Sequence, residues 1–156
     1  MSISYGFNDS SDLLEKLRRD KKRLYDAVEH QNDIEIKDTI FDFCNTAYSL
    51  KDWLKKERHS SIEQDFNRSG TDILKVCKLI CTHNKHKKSD EAESHTGLKI
   101  IRIDSENIRS STTNIKVSSQ IPITSSTIYI TDDQQKKYEI LQFTEEVVVF
   151  FESLLR

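Results

Sequence analysis

Apolar residues recur along this chain at two different periods, and the change from one to the other divides it. Leu13, Leu14, Leu17, Leu24, Tyr25 and Val28 return at helical spacing over an arc of about 120° at 100° per residue. They predict a first helix from about Asp12 to Val28, capped by Ser10 or Ser11. A second helix is predicted from Asp33 to about Lys56, with Ile36, Ile40, Phe43, Ala47, Leu50 and Leu54 as a narrow stripe that Phe41, Cys44 and Tyr48 widen. A short helical candidate from Ser61 to Phe66 precedes a break at Arg68-Ser69-Gly70-Thr71. Ser69 or Thr71 then caps a third helix that would bury Ile73, Leu74, Val76, Cys77, Ile80 and Cys81. The last helix is expected from about Phe143 to Leu155, where Phe143, Val147, Phe150, Phe151 and Leu154 share a face opposite Glu145, Glu152 and Arg156. Glu145 and Glu146 suit its positive amino-terminal end.

Between the third and last helices the pattern changes. Residues Lys87 to His95 are charged and small, as in a surface loop. The runs Leu98 to Ile103, Asn114 to Val117 and Thr127 to Ile130 are then β-branched and partly alternating, with Ser, Asn and Asp between them. Pro122, the only proline, fits a loop or edge position. These elements imply a mainly α fold: a helical bundle of about four long helices with a small antiparallel β excursion before the C-terminal helix. The expected organisation is one domain over residues 1–156, with the bundle in 9–86 and 142–156, a charged loop at 87–96 and the β-rich insertion at 97–141.

Composition narrows the classes. At 35% hydrophobic and 32% charged the chain is polar yet periodic, so its apolar residues are concentrated into faces that form one core. Val147 to Phe151, the longest apolar run, is far shorter than the roughly 20 residues that span a bilayer, and the polar amino terminus lacks a secretory signal. Cys44, Cys77 and Cys81 are odd in number and fall on helical apolar faces, so reduced buried thiols and a cytoplasmic setting are expected. A net charge of −2 argues against a basic surface over the whole molecule, but not against a local one. Lys75, Lys78, Lys85, Lys87 and Lys88 lie in a stretch with no acid, whereas Asp26, Glu29, Asp33, Glu35, Asp38 and Asp42 make an earlier region acidic.

Candidate chemistry gathers at the end of the third helix. Lys85 and His86 there would make an anion site, with His86 as acid or base and Lys85 stabilising a phosphate or oxyanion. The same two residues would also offset a helix dipole and cap free carbonyls. Asn45 and Asp52, seven residues apart on the second helix beside Phe41 and Tyr48, would either orient His86 across a seam or face solvent. Zinc is not expected: on a continuous helix Cys77 and Cys81 lie within about 40° of each other, while His83 and His86 fall on another side. Arg23 and His30 share a helical face turned away from the apolar arc, and Trp53 marks either an interface or packing against the β excursion. No Gly-rich phosphate loop or serine-hydrolase elbow occurs in the sequence, and no cofactor is expected.

Three segments, taken together, resemble a known group. Asp12 to Asp20 (DLLEKLRRD), Thr46 to Trp53 (TAYSLKDW) and Cys77 through Lys85-His86 are similar, in the same order, to uncharacterised bacterial helical proteins related to the HEPN-like bundles. Many HEPN-like proteins are RNA-cleaving toxins or phage-defence effectors, and others are non-catalytic. The resemblance implies a metal-independent endoribonuclease, in which an Arg followed a few residues later by a His positions the scissile phosphate and moves a proton during attack by a ribose 2′-hydroxyl. This chain departs from that pattern: Lys78 to His83 has the spacing with Lys for Arg, and Arg23 to His30 has the residue types on a different helix. The expected catalytic set is therefore His86, Lys85, His83 and Asp52, with Lys75, Lys78, Lys87 and Lys88 on the RNA. The alternative is a non-catalytic bundle acting through protein–protein association, as a homodimer or with a cognate partner.

Overall fold

The computed structural model describes residues 6–58, 64, 71–85, 99–103, 127–131 and 135–156. Helix α1 spans Ser10–Glu29. Its cap is Asp9, one residue before the expected serines: Asp9 is extended, and its carboxylate accepts the Asp12 N–H at 3.0 Å. Ser10 is already inside the helix and buried, where its N–H and hydroxyl donate to the two carboxylate oxygens of Glu57 at 2.9 and 2.5 Å. After His30, Gln31 takes a positive φ of 52°, and Asn32 starts the next helix by accepting the Glu35 N–H on its side chain at 3.2 Å.

Helix α2 spans Asp33–Arg58 and α3 spans Thr71–Lys85. The expected α2 stripe is buried in full, Cys44 with it, while Phe41 and Tyr48 are half-buried and Tyr48 packs against the core. In α3, Leu74, Val76, Cys77 and Cys81 are buried and Ile80 is partly so; the side chain of Ile73 lies outside the described residues. Tyr25 departs from the α1 prediction, being 39% exposed, whereas Ala27 and the charged Asp20 are buried in its place.

Strand β1 (Lys99–Ile103) pairs antiparallel with β2 (Thr127–Thr131), Lys99 opposite Thr131 and Ile103 opposite Thr127. A third strand that the alternation did not signal, β3 (Lys137–Glu139), pairs antiparallel with the other side of β2. Helix α4 follows at once and spans Ile140–Leu155, starting three residues before the expected Phe143. The reason is Glu139, whose carboxylate caps the helix by accepting the Leu141 and Gln142 N–H groups at 3.1 and 2.6 Å. The expected Ser61–Phe66 helix except Gln64, the 87–96 loop, the Asn114–Val117 run and Pro122 lie outside the described residues.

Among the described residues the fold is thus a bundle of four helices with a small antiparallel sheet ahead of the last helix, and the sheet joins the same core. Ile128 and Ile130 are buried with Leu17, Leu24, Phe43, Leu50, Val147 and Phe151. Phe143 links the layers, meeting Phe43 of α2 edge-on at 6.4 Å and Tyr138 of β3 at 6.2 Å. Trp53 is half-buried and packs against this core. Among the described residues no helix is long and apolar enough to cross a membrane.

Candidate functional site

Two of the three resembling segments meet across the α1–α2 seam. Lys16 and Asp20, one turn apart on α1, lie on the side that faces Thr46 of α2. Lys16 Nζ is 2.6 Å from Asp20 Oδ2 and 2.7 Å from Thr46 Oγ1, and Thr46 Oγ1 is 2.6 Å from the same Asp20 oxygen. Asp20 is 3% exposed and Thr46 4%. A hydroxyl has one proton; because Lys16 can only donate, Thr46 accepts from it and gives its own proton to Asp20. The Asp42 carbonyl, 2.9 Å from Thr46 Oγ1, is the alternative acceptor one turn back on α2.

Arg23 closes the outer end of this group. Its Nη1 is 3.1 Å from Asp42 Oδ2 and 3.8 Å from Asp20 Oδ1, so it bridges the helices at the solvent edge. Asp20 and Thr46 are buried between the helices and each bonds to Lys16, so the triangle fastens α1 to α2. His30, expected to share a face with Arg23, is exposed at the end of α1, with Nδ1 2.6 Å from the Asp26 carbonyl.

The residues expected to carry RNA chemistry are distributed differently. Asp52 is exposed on α2 and Asn45 is half-buried one face-repeat before it. Lys75 and Lys78 are exposed on α3, beside buried Leu74 and Cys77. His83 and Lys85 belong to the last turn of α3, where the backbone alone is described; His86, Lys87 and Lys88 lie outside the described residues. The structure therefore brings together Lys16, Asp20 and Thr46, and gives no side-chain geometry linking Asp52 to His83, Lys85 or His86.

Cys44, Cys77 and Cys81 are buried, and none of them is in a disulfide. Burial pushes the Cys44 thiol well above its ordinary value, and the hydrogen bond and charge of neighbouring Cys77, then Cys81, add to the shift. A cleft of about 310 Å³ lies between α1 and α4, lined by Leu14, Arg18, Glu152 and Arg156 among others. One of its two cations is engaged: Arg18 donates to Glu152 at 2.9 Å and also to Glu15, and the Glu152 bond is the main reason its pKa is raised.

Sequence reasoning treated the first segment as a resemblance and missed its triangle. The signal was available: Asp20 stands three residues after Leu17 and four before Leu24, a carboxylate in a position that packing would give to a Leu. Compared with family models, with curated proteins and with solved structures, the chain has no match in any of the three.

Proposed function

We propose that this chain is a HEPN-like helical bundle that acts on RNA through the exposed side of α3, as a toxin or phage-defence component. One observation carries the reading: α3 turns Leu74, Val76, Cys77 and Cys81 inward and leaves Lys75 and Lys78 exposed, and the sequence continues into Lys85, Lys87 and Lys88 without an acid. A row of ammonium groups of this kind attracts a phosphate backbone and releases its counterions on binding. His83 and His86 are then the groups to move a proton during 2′-hydroxyl attack, with Lys85 on the phosphate and Asp52 as an orienting carboxylate.

Incubating the purified chain with mixed cellular RNA in chelator, beside a His83→Ala/His86→Ala variant, tests the chemistry. Cleavage by the parent alone supports it, and cleavage by neither removes the nuclease. Binding is tested separately by Lys75→Glu/Lys78→Glu, which should weaken RNA affinity at all sequences and lower the salt slope by about one per lysine lost from contact with phosphate.

A second reading, a non-catalytic bundle acting by association, is favoured by a different observation. Lys16, Asp20 and Thr46 of the first two resembling segments are used in fastening α1 to α2, and α2 carries an exposed Ile34 and a half-buried Phe41.

A further inference from the structure

All three cysteines of the chain converge on one place. Cys44 lies on the flank of the buried stripe of α2, and Cys77 and Cys81 lie one turn apart on the buried face of α3. They are 0%, 0% and 3% exposed and belong to the same apolar core. The Cys44 and Cys77 thiols hydrogen-bond to each other across the α2–α3 seam, and no disulfide joins them. One buried thiol is merely a small apolar side chain. Two that meet across a seam also have the geometry for a bond: their Cβ–Sγ bonds converge, so rotation about χ1 brings the sulfurs toward the separation of about 2 Å that a disulfide requires. Cys77 and Cys81 lack that convergence, because they run side by side on one helix.

We propose that Cys44 and Cys77 form a redox latch: an oxidant of the glutathione disulfide class joins them in a disulfide that ties α2 to α3, with Cys81 outside the bond. The reaction balances on that oxidant alone. One cysteine, as its thiolate, attacks a sulfur of glutathione disulfide, forming a mixed disulfide and expelling one glutathione thiolate. The second cysteine gives up its proton and attacks the protein sulfur of that intermediate, which closes Cys44 onto Cys77 and expels the second glutathione. Two protein thiols are oxidised, one glutathione disulfide is reduced to two glutathione thiols, and the cysteine protons end on them. Burial sets the manner of closing. Neither sulfur is reachable in the packed seam, so oxidation proceeds through an opening of α3 from α2, and the same burial then shields the finished bond from thiols. The bond joins positions 33 apart, which restricts the unfolded chain and favours the folded one by on the order of a hundredfold in the unfolding equilibrium. It fixes the helix that carries exposed Lys75 and Lys78 whether or not they touch RNA.

Equilibrating the full chain with mixtures of oxidised and reduced glutathione, then quenching in acid, alkylating and mapping the peptides, tests this. The parent should lose the mass of two hydrogens and yield one linked pair, Cys44 with Cys77. Cys81→Ala should yield the same pair, and neither Cys44→Ala nor Cys77→Ala should form an internal bond. The decisive quantity needs no variant. It is the effective concentration of one thiol for the other, read from the glutathione ratio that half-closes the bond, in buffer and in concentrated urea. Unfolded cysteines also pair, but by linkage the ratio of the two effective concentrations equals the stabilisation that the bond confers on the fold. A value in buffer at least tenfold above that in urea supports the latch, and about a hundredfold is expected. The urea midpoint of the oxidised parent should rise accordingly. A ratio below about tenfold, a bond that involves Cys81, or cross-links only between chains overturns the proposal.

Discussion

Asp20 is the residue at which this fold departs most from an apolar seam. A buried carboxylate persists only when it is paired and hydrogen-bonded, and Lys16 and Thr46 supply both conditions. Removing one member leaves the others desolvated, so Asp20→Ala should cost about 3 kcal/mol and Thr46→Val about 1–2 kcal/mol in urea unfolding. The double variant should cost less than the sum of the two, since the second substitution removes a bond already lost. Additive losses would mean that the triangle is not a unit. The thiols make a second prediction at this scale. Burial raises the folded pKa of Cys44 above its unfolded value of about 8.5. Its contribution is therefore complete below that value and is lost as pH rises from there toward the folded pKa. Unfolding free energies at pH 7 and 9.5 should fall more for the parent than for Cys44→Ala. The same burial should protect the thiols from alkylation until urea opens the core.

At the scale of elements, helix ends rest on carboxylates more than on hydroxyls. Asp9 opens α1, Glu139 opens α4, and Glu57 reaches from the end of α2 to Ser10. Glu139→Ala should destabilise the chain by about 1 kcal/mol and speed amide exchange at Leu141 and Gln142, whose N–H groups lose their acceptor. An unchanged exchange rate at both amides would remove the cap from this account. The same contacts explain what the sequence made legible. Faces were readable because Leu, Ile, Phe and Val repeat over many turns, so α1, α2 and the sheet pair Lys99–Ile103 with Thr127–Thr131 appear where periodicity places them. Ends were not, because a cap is one side chain and several qualify: Ser10 has the right chemistry, but its hydroxyl is taken by Glu57, 47 positions away. Three-residue β3 is too short for an alternation to register, and only its pairing with β2 makes it a strand. The Lys16–Asp20–Thr46 group escaped for a related reason, since its two halves meet only when α1 and α2 pack.

For the whole molecule the question is whether sheet and helices form one cooperative unit. Ile128 and Ile130 are buried in the cluster that includes Phe43, Val147 and Phe151, and the Tyr138–Phe143–Phe43 contacts run from β3 through α4 to α2. No second core separates the sheet from the bundle among the described residues. A loss in the sheet must then be felt in the helices. Trp53, the only tryptophan, sits on α2 against that core and reports from the helical side. Ile130→Ala removes a side chain that is 1% exposed and should cost about 2–5 kcal/mol through lost transfer energy and the cavity left behind. If the core is shared, the urea midpoint read by Trp53 fluorescence shifts by the full amount and coincides with the midpoint read by far-ultraviolet circular dichroism. A Trp53 transition left in place, with the dichroism splitting into two steps, would make the sheet a separate unit resting on the bundle. The shared core predicts one transition because the Phe143 ring cannot lose its packing on Tyr138 without loosening its contact with Phe43.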